Sequence, residues 1–214
     1  MAPRASARPD PLGLLLGAAL AAVDARTLTR RALSERSGEL RLGGTVLRAS
    51  EVERLFVVGA GKAAAEMARG AQDALGGRIH GGTVTTKDGY ACALPGIEVW
   101  EAGHPLPDAR GLAGAAGALR LARLAGERDV VLSLLSGGAS ALWAAPAPGI
   151  FLGDVRAVTD ALQRAGAPIE EVNTVRKHLS AIAGGRLAQL AWPARVVTLA
   201  IADVIGVGDD VIGS

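Results

Sequence analysis

The stretch LFVVGAGKAAAEMA, residues 55–68, is the clearest structural signal in this sequence. Its apolar beginning predicts a buried strand, its two glycines predict a tight turn, and the alanine-rich segment after Lys62 predicts a helix. A strand that passes through a glycine turn into a helix is the first half of a βαβ unit, whose crossover to the next parallel strand is right-handed. The stretch therefore indicates an α/β fold.

The same alternation of strand and helix continues along the chain. Strands are predicted at 55–59, 82–86, 97–101, 129–135 and 195–201. Helices are predicted at 12–23, 62–75, 110–125, 154–165, 170–181 and 184–191. The runs VVLSLL and VVTLAIA are almost wholly apolar, as expected of parallel strands with helices on both faces. We expect a three-layer α/β/α Rossmann-like sandwich with a mainly parallel sheet, forming a single domain over residues 1–214.

The composition argues against several classes of partner. The 23 Lys and Arg residues nearly balance the 21 Asp and Glu residues, and aromatic residues make up only 3%, so neither charge nor stacking surface favours nucleic acid. Cys92 is the single cysteine, which rules out an internal disulfide bond and a Cys-cluster zinc site. The sequence therefore predicts no nucleic-acid partner and a cytoplasmic location.

The N-terminal segment has two interpretations. Residues 1–25 contain arginines, a short apolar run and small residues, which is also the pattern of a signal peptide. We favour the first helix of the domain, because Asp10 and Pro11 form a good N-cap and N1 pair. The helical pattern continues through Leu28 towards Leu33. The apolar run is too short to cross a bilayer, so no membrane partner is predicted.

Three glycine-rich loops follow predicted strands. They read GAGK after 55–59, SGGAS after 129–135 and ADVIGVGDD after 195–201. Because ligands of open α/β sheets bind beside the carboxyl ends of the strands, these loops indicate one shared site. His104, after the 97–101 strand, is expected at the same edge, although a simple turn explains it equally well.

The first loop is compatible with more than one function. The motif GAGKAA, with Gly59 and Gly61, matches a permissive dinucleotide pattern in which the last glycine is alanine. Against this interpretation, Lys62 stands where the backbone must approach a pyrophosphate. The next strand also ends in Thr86-Lys87 instead of the acidic residue that would hold a ribose diol. Lys87 would suit a 2′-phosphate, so NADP stays open.

The first loop has two further interpretations. A Walker A loop is excluded, because Ala63 stands where Ser or Thr is required and Phe56 stands where a glycine is required. A tight turn with an exposed lysine is the plain alternative. A cation at a helix N-terminus is mismatched with the helix dipole, at a cost of about 0.3–1 kcal/mol, and a bound anion would remove that mismatch. Lys62 is therefore better explained with a phosphate or carboxylate present.

Other candidate ligands lie in the second loop, in a helix and in the third loop. Glycines and hydroxyl groups of the second loop could form a phosphate nest, although a Ser-capped turn is an equal alternative. Its candidates are Ser136, Gly137, Gly138 and Ser140. The predicted helix 170–181 carries Asn173, Arg176 and Lys177 on neighbouring polar stripes, which could equally be a solvated basic face. Asp203, Asp209 and Asp210 of the third loop are of the type that binds Mg²⁺, but aspartates also form turns.

These loops in this order resemble a known family. The chain is similar to the N-terminal domain of glycerate 2-kinases with a MOFRL-type C-terminal domain, which are also labelled hydroxypyruvate reductases. The resemblance extends from about residue 10 to the end. It rests on VVGAGKAA, GHPLPD, SLLSGGASAL, EEVNTVRKHLSAIAGGRLA and ADV…GDDVIGS.

The resemblance implies transfer of the ATP γ-phosphoryl group to the 2-hydroxyl of D-glycerate, with Mg²⁺. It implies that Lys62 is the catalytic lysine, and that the second loop holds phosphates. It also implies that Asn173, Arg176 and Lys177 form an anion clamp. Asp203 and Asp209 would form the metal site. The chain departs from the family pattern at Ala139, Ala183 and Ala202, and in the spacing of the third loop, which leaves the assignment of Asp209 open.

The resemblance also implies that the C-terminal domain is missing, so we expect this chain alone to be weakly active or inactive. An NAD(P)-dependent hydroxypyruvate reductase and a non-catalytic module that binds nucleotide or sugar acid remain as alternatives. The expected partners are glycerate and ATP, and a homodimer stays open.

Overall fold

The structure, a computed structural model, describes residues 10–202. In chain order the helices are α1 (Pro11–Ala22), α2 (Ala25–Ala32), α3 (Ala64–Leu75), α4 (Ala109–Leu124), α5 (Ala139–Leu142), α6 (Leu152–Arg164), α7 (Ile169–His178) and α8 (Arg186–Ala191). The strands are β1 (Leu33–Arg36), β2 (Glu39–Leu42), β3 (Thr45–Arg48), β4 (Leu55–Ala60), β5 (Ile79–Lys87), β6 (Ile97–Ala102), β7 (Val130–Ser136) and β8 (Arg195–Ile201).

Within the described residues, a five-stranded parallel sheet has the spatial order β6-β5-β4-β7-β8. The chain builds outward from β4 to β6, returns to the other side of β4 as β7, and ends in β8. This is the strand order of a doubly wound fold, in which the crevice between the first and fourth strands is the usual place for a ligand. The predicted strands and the α/β fold are confirmed, and the switch point lies between β4 and β7.

Helices cover both faces of this sheet, as a three-layer sandwich requires. All six residues of β4 are buried. Leu55 and Val57 pack in a core cluster that includes α3, whereas Phe56 and Val58 pack in a second cluster that includes α4. Each fully buried side chain of this size stabilises the fold by about 1.5–3 kcal/mol. The central strand is therefore held rigidly, and so is the loop that follows it.

A small antiparallel sheet of β1, β2 and β3 lies between residues 33 and 48 and was not predicted from the sequence. Its tight turns are at Ser37-Gly38 and Gly43-Gly44, which are dipeptides typical of hairpins. The fully buried Leu40 and Leu42 alternate with exposed residues along β2. This period-two pattern extends over only four residues in each strand, too few to be distinguished from the longer helical patterns in the sequence.

The first helix has the predicted start but an earlier end. Asp10 accepts hydrogen bonds from the N–H groups of Leu12 and Gly13, each at 3.1 Å, which confirms the predicted N-cap. The helical pattern does not run on unbroken towards residue 33. Asp24 interrupts it by capping α2, where its carboxylate accepts from Thr27 N at 2.8 Å.

The outer surface of α1 is strongly apolar. No residue of α1 is buried, and its five leucines are between 61% and 78% exposed. In the described part of the chain no single helix is long and apolar enough to span a membrane, although α1 and α2 together, bent by 44° at their junction, meet that length and composition.

The end of α7 is tied to the region of the second glycine loop. The helix ends at His178 instead of the predicted residue 181, because Ser180 pairs in a β-bridge with Pro146. The chain then turns through Gly184 and Gly185, both left-handed with φ of 63° and 82°, before α8 begins. The bridge places the last turn of α7 beside the segment that follows α5.

Candidate active site at the switch point of the sheet

Two glycine-rich loops meet where β4 and β7 end. The first loop (residues 59–62) and the second loop (residues 136–140) are joined by two hydrogen bonds. Lys62 N donates to Gly137 O at 3.0 Å, and Ala63 N donates to Ser136 Oγ at 3.0 Å. Two of the three predicted loops therefore lie together at the carboxyl edge of the sheet. The third loop lies outside the described residues from Asp203 onward.

Glycine is required at the meeting point of the two loops. Gly61 has a φ of 132°, and a Cβ there would overlap Ser136 Oγ and lie 2.5 Å from Ser136 O. Gly59 lies inside β4, where a Cβ would come within 2.6 Å of Leu134 O on the neighbouring strand. These two glycines therefore allow close packing of backbone and side chain. The buried Ser136 serves the same junction, because its hydroxyl accepts the Ala63 hydrogen bond.

Lys62 is fixed at its backbone and free at its side chain. Its N–H is bound to Gly137, and its carbonyl oxygen accepts a hydrogen bond from Thr86 Oγ1 at 3.1 Å. Its side chain is exposed, and its Cε lies 3.6 Å from where a Cβ of Gly138 would be. Within residues 10–202, no carboxylate lies within ion-pair distance of this amine. The arrangement presents a positive charge above the second loop.

His104 lies in the loop after β6 and reaches the same position. Its Nε2 and Cδ2 are each 2.9 Å from where a Cβ of Gly138 would be, so glycine at that position leaves room for the imidazole. The pKa of His104 is lowered, first by its partial burial and then by the positive charges of Lys62, Lys87 and Arg176. The cationic side chains of three separate elements, Lys62, Lys87 and Arg176, therefore act on His104 in this crevice.

Two aspartates that lie close in the sequence to Lys87 and His104 are paired with an arginine instead. Asp88 and Asp108 both bind Arg110, whose Nη1 lies 2.5 Å from Asp88 Oδ1 and whose Nη2 lies 2.7 Å from Asp108 Oδ2. Asp108 also accepts hydrogen bonds from Gly103 N and Gly111 N, each at 3.0 Å, as the N-cap of α4. The Arg110 guanidinium offsets the negative charge of both aspartates. The crevice therefore remains cationic.

Helix α7 supplies the remaining predicted ligands. Arg176 is half-buried, and burial lowers its pKa because no described carboxylate is close enough to compensate. The half-buried Asn173 lies one turn before Lys177. The stem of Lys177 packs beside Gly184, and its carbonyl oxygen accepts a hydrogen bond from Arg186 Nη1 at 2.9 Å. Of the three, Arg176 is the one whose charge reaches His104.

A mostly apolar pocket of about 40 Å³ opens between the second loop and α7. Residues that line it include Ser140, Trp143, Leu152, Arg176, Leu179 and Ile182. The structure therefore brings Lys62, Ser136, Gly137 and Gly138 together directly. Ser140 and Arg176 line this pocket, which begins at the next residue of the second loop, Ala139.

The predicted metal ligands are not among the residues that the structure describes. Asp203 and Asp209 are outside the described residues, as is Asp210. Among residues 10–202, no group of three or more His, Cys, Asp or Glu side chains is arranged to hold a metal ion.

Two residues of the crevice are less evident from the sequence. The pattern indicates only that Lys87 would suit the 2′-phosphate of NADP, and a turn explains His104 equally well. One compositional signal was available for Lys87: all but three of the 23 cationic side chains are arginines, and the lysines are residues 62, 87 and 177. For His104, the signal was its place after a parallel strand, at the edge where the glycine loops also lie.

The fold and the crevice together define a doubly wound α/β domain with a cationic cleft at its switch point. The family described as "Domain of unknown function (DUF4147)" matches residues 12–214, and the chain belongs to this family.

The relatives give this family its biochemical context. "D-glycerate 2-kinase" of Thermotoga maritima is 44% identical over 164 residues, which cover 76% of this chain and 39% of that protein. A "Putative hydroxypyruvate reductase" of Agrobacterium vitis is 47% identical over 153 residues, which cover 72% of this chain and 40% of that protein. The predicted resemblance to the N-terminal part of glycerate 2-kinase homologues is confirmed.

A solved structure agrees with this assignment. The crystal structure of a protein from Pyrococcus horikoshii OT3 superposes with a TM-score of 0.83 at 38% identity, covering 94% of this chain and 45% of the other. The chain spans about two fifths of the length of the curated relatives it matches.

Proposed function

We propose that the chain is the N-terminal domain of an ATP-dependent kinase that phosphorylates D-glycerate at its 2-hydroxyl, giving 2-phosphoglycerate and ADP. Membership of the family and the name of the Thermotoga relative support this proposal. The structural observation that carries it is Lys62, whose backbone is bound by Gly137 of the second loop and by Thr86 of β5, while its amine has no described carboxylate partner. A positive charge held in that way fits an anionic substrate.

The chemistry asked of these residues is positioning and charge stabilisation. Phosphoryl transfer spreads negative charge over the transferring group and needs no covalent intermediate with the protein. In our proposal the Lys62 amine neutralises that charge, and backbone groups of Gly137 and Gly138 line the phosphates. Arg176, desolvated beside the pocket, adds a second cation for a phosphate or for the substrate carboxylate.

Among the described residues, no group of three or more His, Cys, Asp or Glu side chains is arranged to hold a magnesium ion. Asp203 and Asp209 stay as proposed ligands, because loop carboxylates beside a nucleotide site are the oxygen ligands that Mg²⁺ prefers. When bound, the ion would offset charge on the ATP phosphates.

A hydroxypyruvate reductase using NAD(P) is the second candidate, favoured by the name of the Agrobacterium relative and by the strand order. Two observations weaken it. Ser136 Oγ occupies the side of Gly61 where a side chain would point, so that glycine serves loop packing. No acidic residue ends β5, where the buried Thr86 instead donates a hydrogen bond to Lys62 O.

A non-catalytic module that binds nucleotide or sugar acid is the third candidate. A cytoplasmic location remains part of the proposal, supported only by the single cysteine.

A coupled assay on the full-length gene product that contains this chain separates the three candidates. We expect ADP release that depends on D-glycerate, and no NADH oxidation with hydroxypyruvate. Hydroxypyruvate-dependent loss of NADH without ADP release would replace the kinase by the reductase. If neither reaction occurs but ATP binds saturably, the chain is a binding module.

The role of Lys62 has its own test in the same protein. Lys62→Met should lower kcat by orders of magnitude, about 10²-fold or more as for loss of one transition-state contact, while near-UV circular dichroism stays unchanged. Arg128→Met, which removes an exposed cation at the opposite end of the strands, is the matched control and should keep wild-type turnover. Wild-type turnover by Lys62→Met would remove this lysine from the mechanism.

A further inference from the structure

We propose that His104 is the base of this phosphoryl transfer and accepts the proton of the substrate hydroxyl on Nε2. The inference rests on the proposed kinase function and adds a residue to it.

The geometry places His104 beside Lys62, next to the position that we propose for the acceptor hydroxyl. Its Nε2 edge and the Cε of Lys62 face one point above Gly138, at 2.9 Å and 3.6 Å from the position of a Cβ there. A phosphoryl group held by the Lys62 amine would therefore lie beside the imidazole, and the attacking hydroxyl would lie between them. A candidate base must come within hydrogen-bond reach of the proton it removes.

The ring of His104 is available for this task. In the part of the chain that the structure describes, neither ring nitrogen has a hydrogen-bond partner in the protein. The ring is half-buried, which shields it partly from water. By contrast His178, on the exposed face of α7, already binds the carbonyl oxygen of Thr174 through Nδ1 at 2.8 Å.

The surroundings disfavour protonation of the imidazole when the site is empty of anions. Its partial burial lowers the pKa most, and the charges of Lys62 after β4, Lys87 at the end of β5 and Arg176 on α7 lower it further. The carboxylate of Asp108, in the same loop as His104, is occupied by Arg110 and by backbone N–H groups. A neutral ring has a free lone pair at neutral pH, as a base requires.

Binding of the anionic substrates would then reverse this bias. Phosphate and carboxylate charges beside Lys62 and Arg176 offset their positive potential, so the pKa of His104 rises when the substrates are in place. The ring becomes a stronger proton acceptor at the moment when the hydroxyl must lose its proton.

The step balances as an in-line displacement. The O–H bond of the 2-hydroxyl breaks and its proton moves to Nε2, while the hydroxyl oxygen forms a bond to the γ-phosphorus. The bond between the γ-phosphorus and the bridging oxygen breaks, and its electron pair stays on the β-phosphate of ADP. The imidazolium ion returns its proton to solvent after the products leave.

The first test is proton NMR of the three histidines of the 214-residue chain, assigned with His104→Gln and His80→Gln. His80 is the matched control, because its ring stacks edge-on against Phe56, at the other end of the strands. We expect the His104 resonance to titrate below the usual value of about 6.5, and to shift upward with D-glycerate and a non-hydrolysable ATP analogue. A His104 titration that these compounds leave unchanged overturns the proposal.

The second test is the pH profile of kcat/KM for the full-length gene product. His104→Gln should lower kcat by about 10²-fold or more with little change in the KM for ATP, and should remove the acidic limb of the profile. His80→Gln should behave as wild type. A His104→Gln enzyme that keeps the acidic limb, or stays within about threefold of wild-type kcat, overturns the base role. If the wild type transfers no phosphoryl group although the His104 resonance shifts, the proposed kinase function is wrong. The proposed role of His104 as its base is then wrong as well.

Discussion

The cationic side chains at the two ends of the parallel strands differ in whether a carboxylate is bound to them. At the amino end, Arg54 lies just before β4 and binds Asp129 just before β7, with 2.5 Å between Nη2 and Oδ2. The Asp129 side chain is only 3% exposed and also accepts hydrogen bonds from two backbone N–H groups. At the carboxyl end, Lys62 and Arg176 have no described carboxylate at that distance.

This difference separates stability from binding. A buried ion pair whose partners belong to one chain is complete in the folded state, and breaking it leaves an uncompensated charge. A desolvated cation without a partner, such as Arg176, costs stability, and such a cost is tolerated where the residue serves function. The ion pair therefore stabilises the amino end of the sheet, whereas we propose that an anionic ligand supplies the missing negative charge at the carboxyl end.

The largest expected effect comes from the junction of the two glycine loops. Gly61→Ala combines a φ of 132° with overlap against Ser136, so we expect the free energy of unfolding to fall by about 4 kcal/mol. Urea denaturation at neutral pH measures this loss.

The matched control for that change is Gly89→Ala. Gly89 also has a positive φ, of 82°, but no atom lies within 4 Å of its Cβ position, so about 1 kcal/mol should be lost. Equal losses for both variants would show that backbone conformation alone, and not the contact between the loops, makes Gly61 necessary.

The ion pair at the amino end gives the next largest effect. Asp129→Asn should lower the free energy of unfolding by about 3 kcal/mol, because the Arg54 charge loses its partner. Burial raises the pKa of Asp129, but hydrogen bonds from Arg54 and Gly126 outweigh it, so the pKa in the folded chain is lowered. The stabilisation is therefore complete above the unfolded pKa of about 4 and is lost as the pH falls through the folded value.

A surface ion pair provides the control for Asp129. Asp73 binds Arg26 at the same 2.5 Å, but the two side chains are 28% and 44% exposed. Asp73→Asn should therefore cost about 1 kcal/mol or less. Denaturation curves from neutral to acidic pH would refute the account if Asp129→Asn were no more costly than Asp73→Asn.

The smallest expected effect has the opposite sign. Arg176→Met should raise the free energy of unfolding by about 1 kcal/mol, because it removes a desolvated charge that has no described partner. Arg54→Met at the amino end should lower it by about 3 kcal/mol. If Arg176→Met destabilised the fold as much as Arg54→Met, Arg176 would be a structural residue and not a ligand.

The sequence predicted those parts of the fold whose pattern is local and long. The strands of the parallel sheet and the helices between them follow from apolar runs separated by glycine turns, and the Asp10 cap follows from its neighbour Pro11. The β1–β3 sheet was missed because its strands are four residues each, too short for periodicity to stand out.

The candidate site was predictable only in part, for a similar reason. Lys62 and the second loop could be found because each motif is contiguous in the sequence. The proximity of His104 to Lys62 depends on the order of β6, β5 and β4 in the sheet and on the missing side chain of Gly138. Neither the strand order nor a contact across loops is visible in local sequence. The positions of Lys87 and His104 at the crevice therefore became evident only from the structure.

The central claim is that Lys62 at the carboxyl end of β4 binds the phosphates of a nucleotide. The direct test is calorimetric titration of the 214-residue chain with a non-hydrolysable ATP analogue and magnesium, comparing wild type, Lys62→Met and the amino-end control Arg128→Met. We predict that Lys62→Met weakens binding about tenfold or more, equal to about 1.4 kcal/mol, while Arg128→Met stays within about twofold of wild type. Binding by Lys62→Met at wild-type strength, or an equal loss in both variants, would contradict the account.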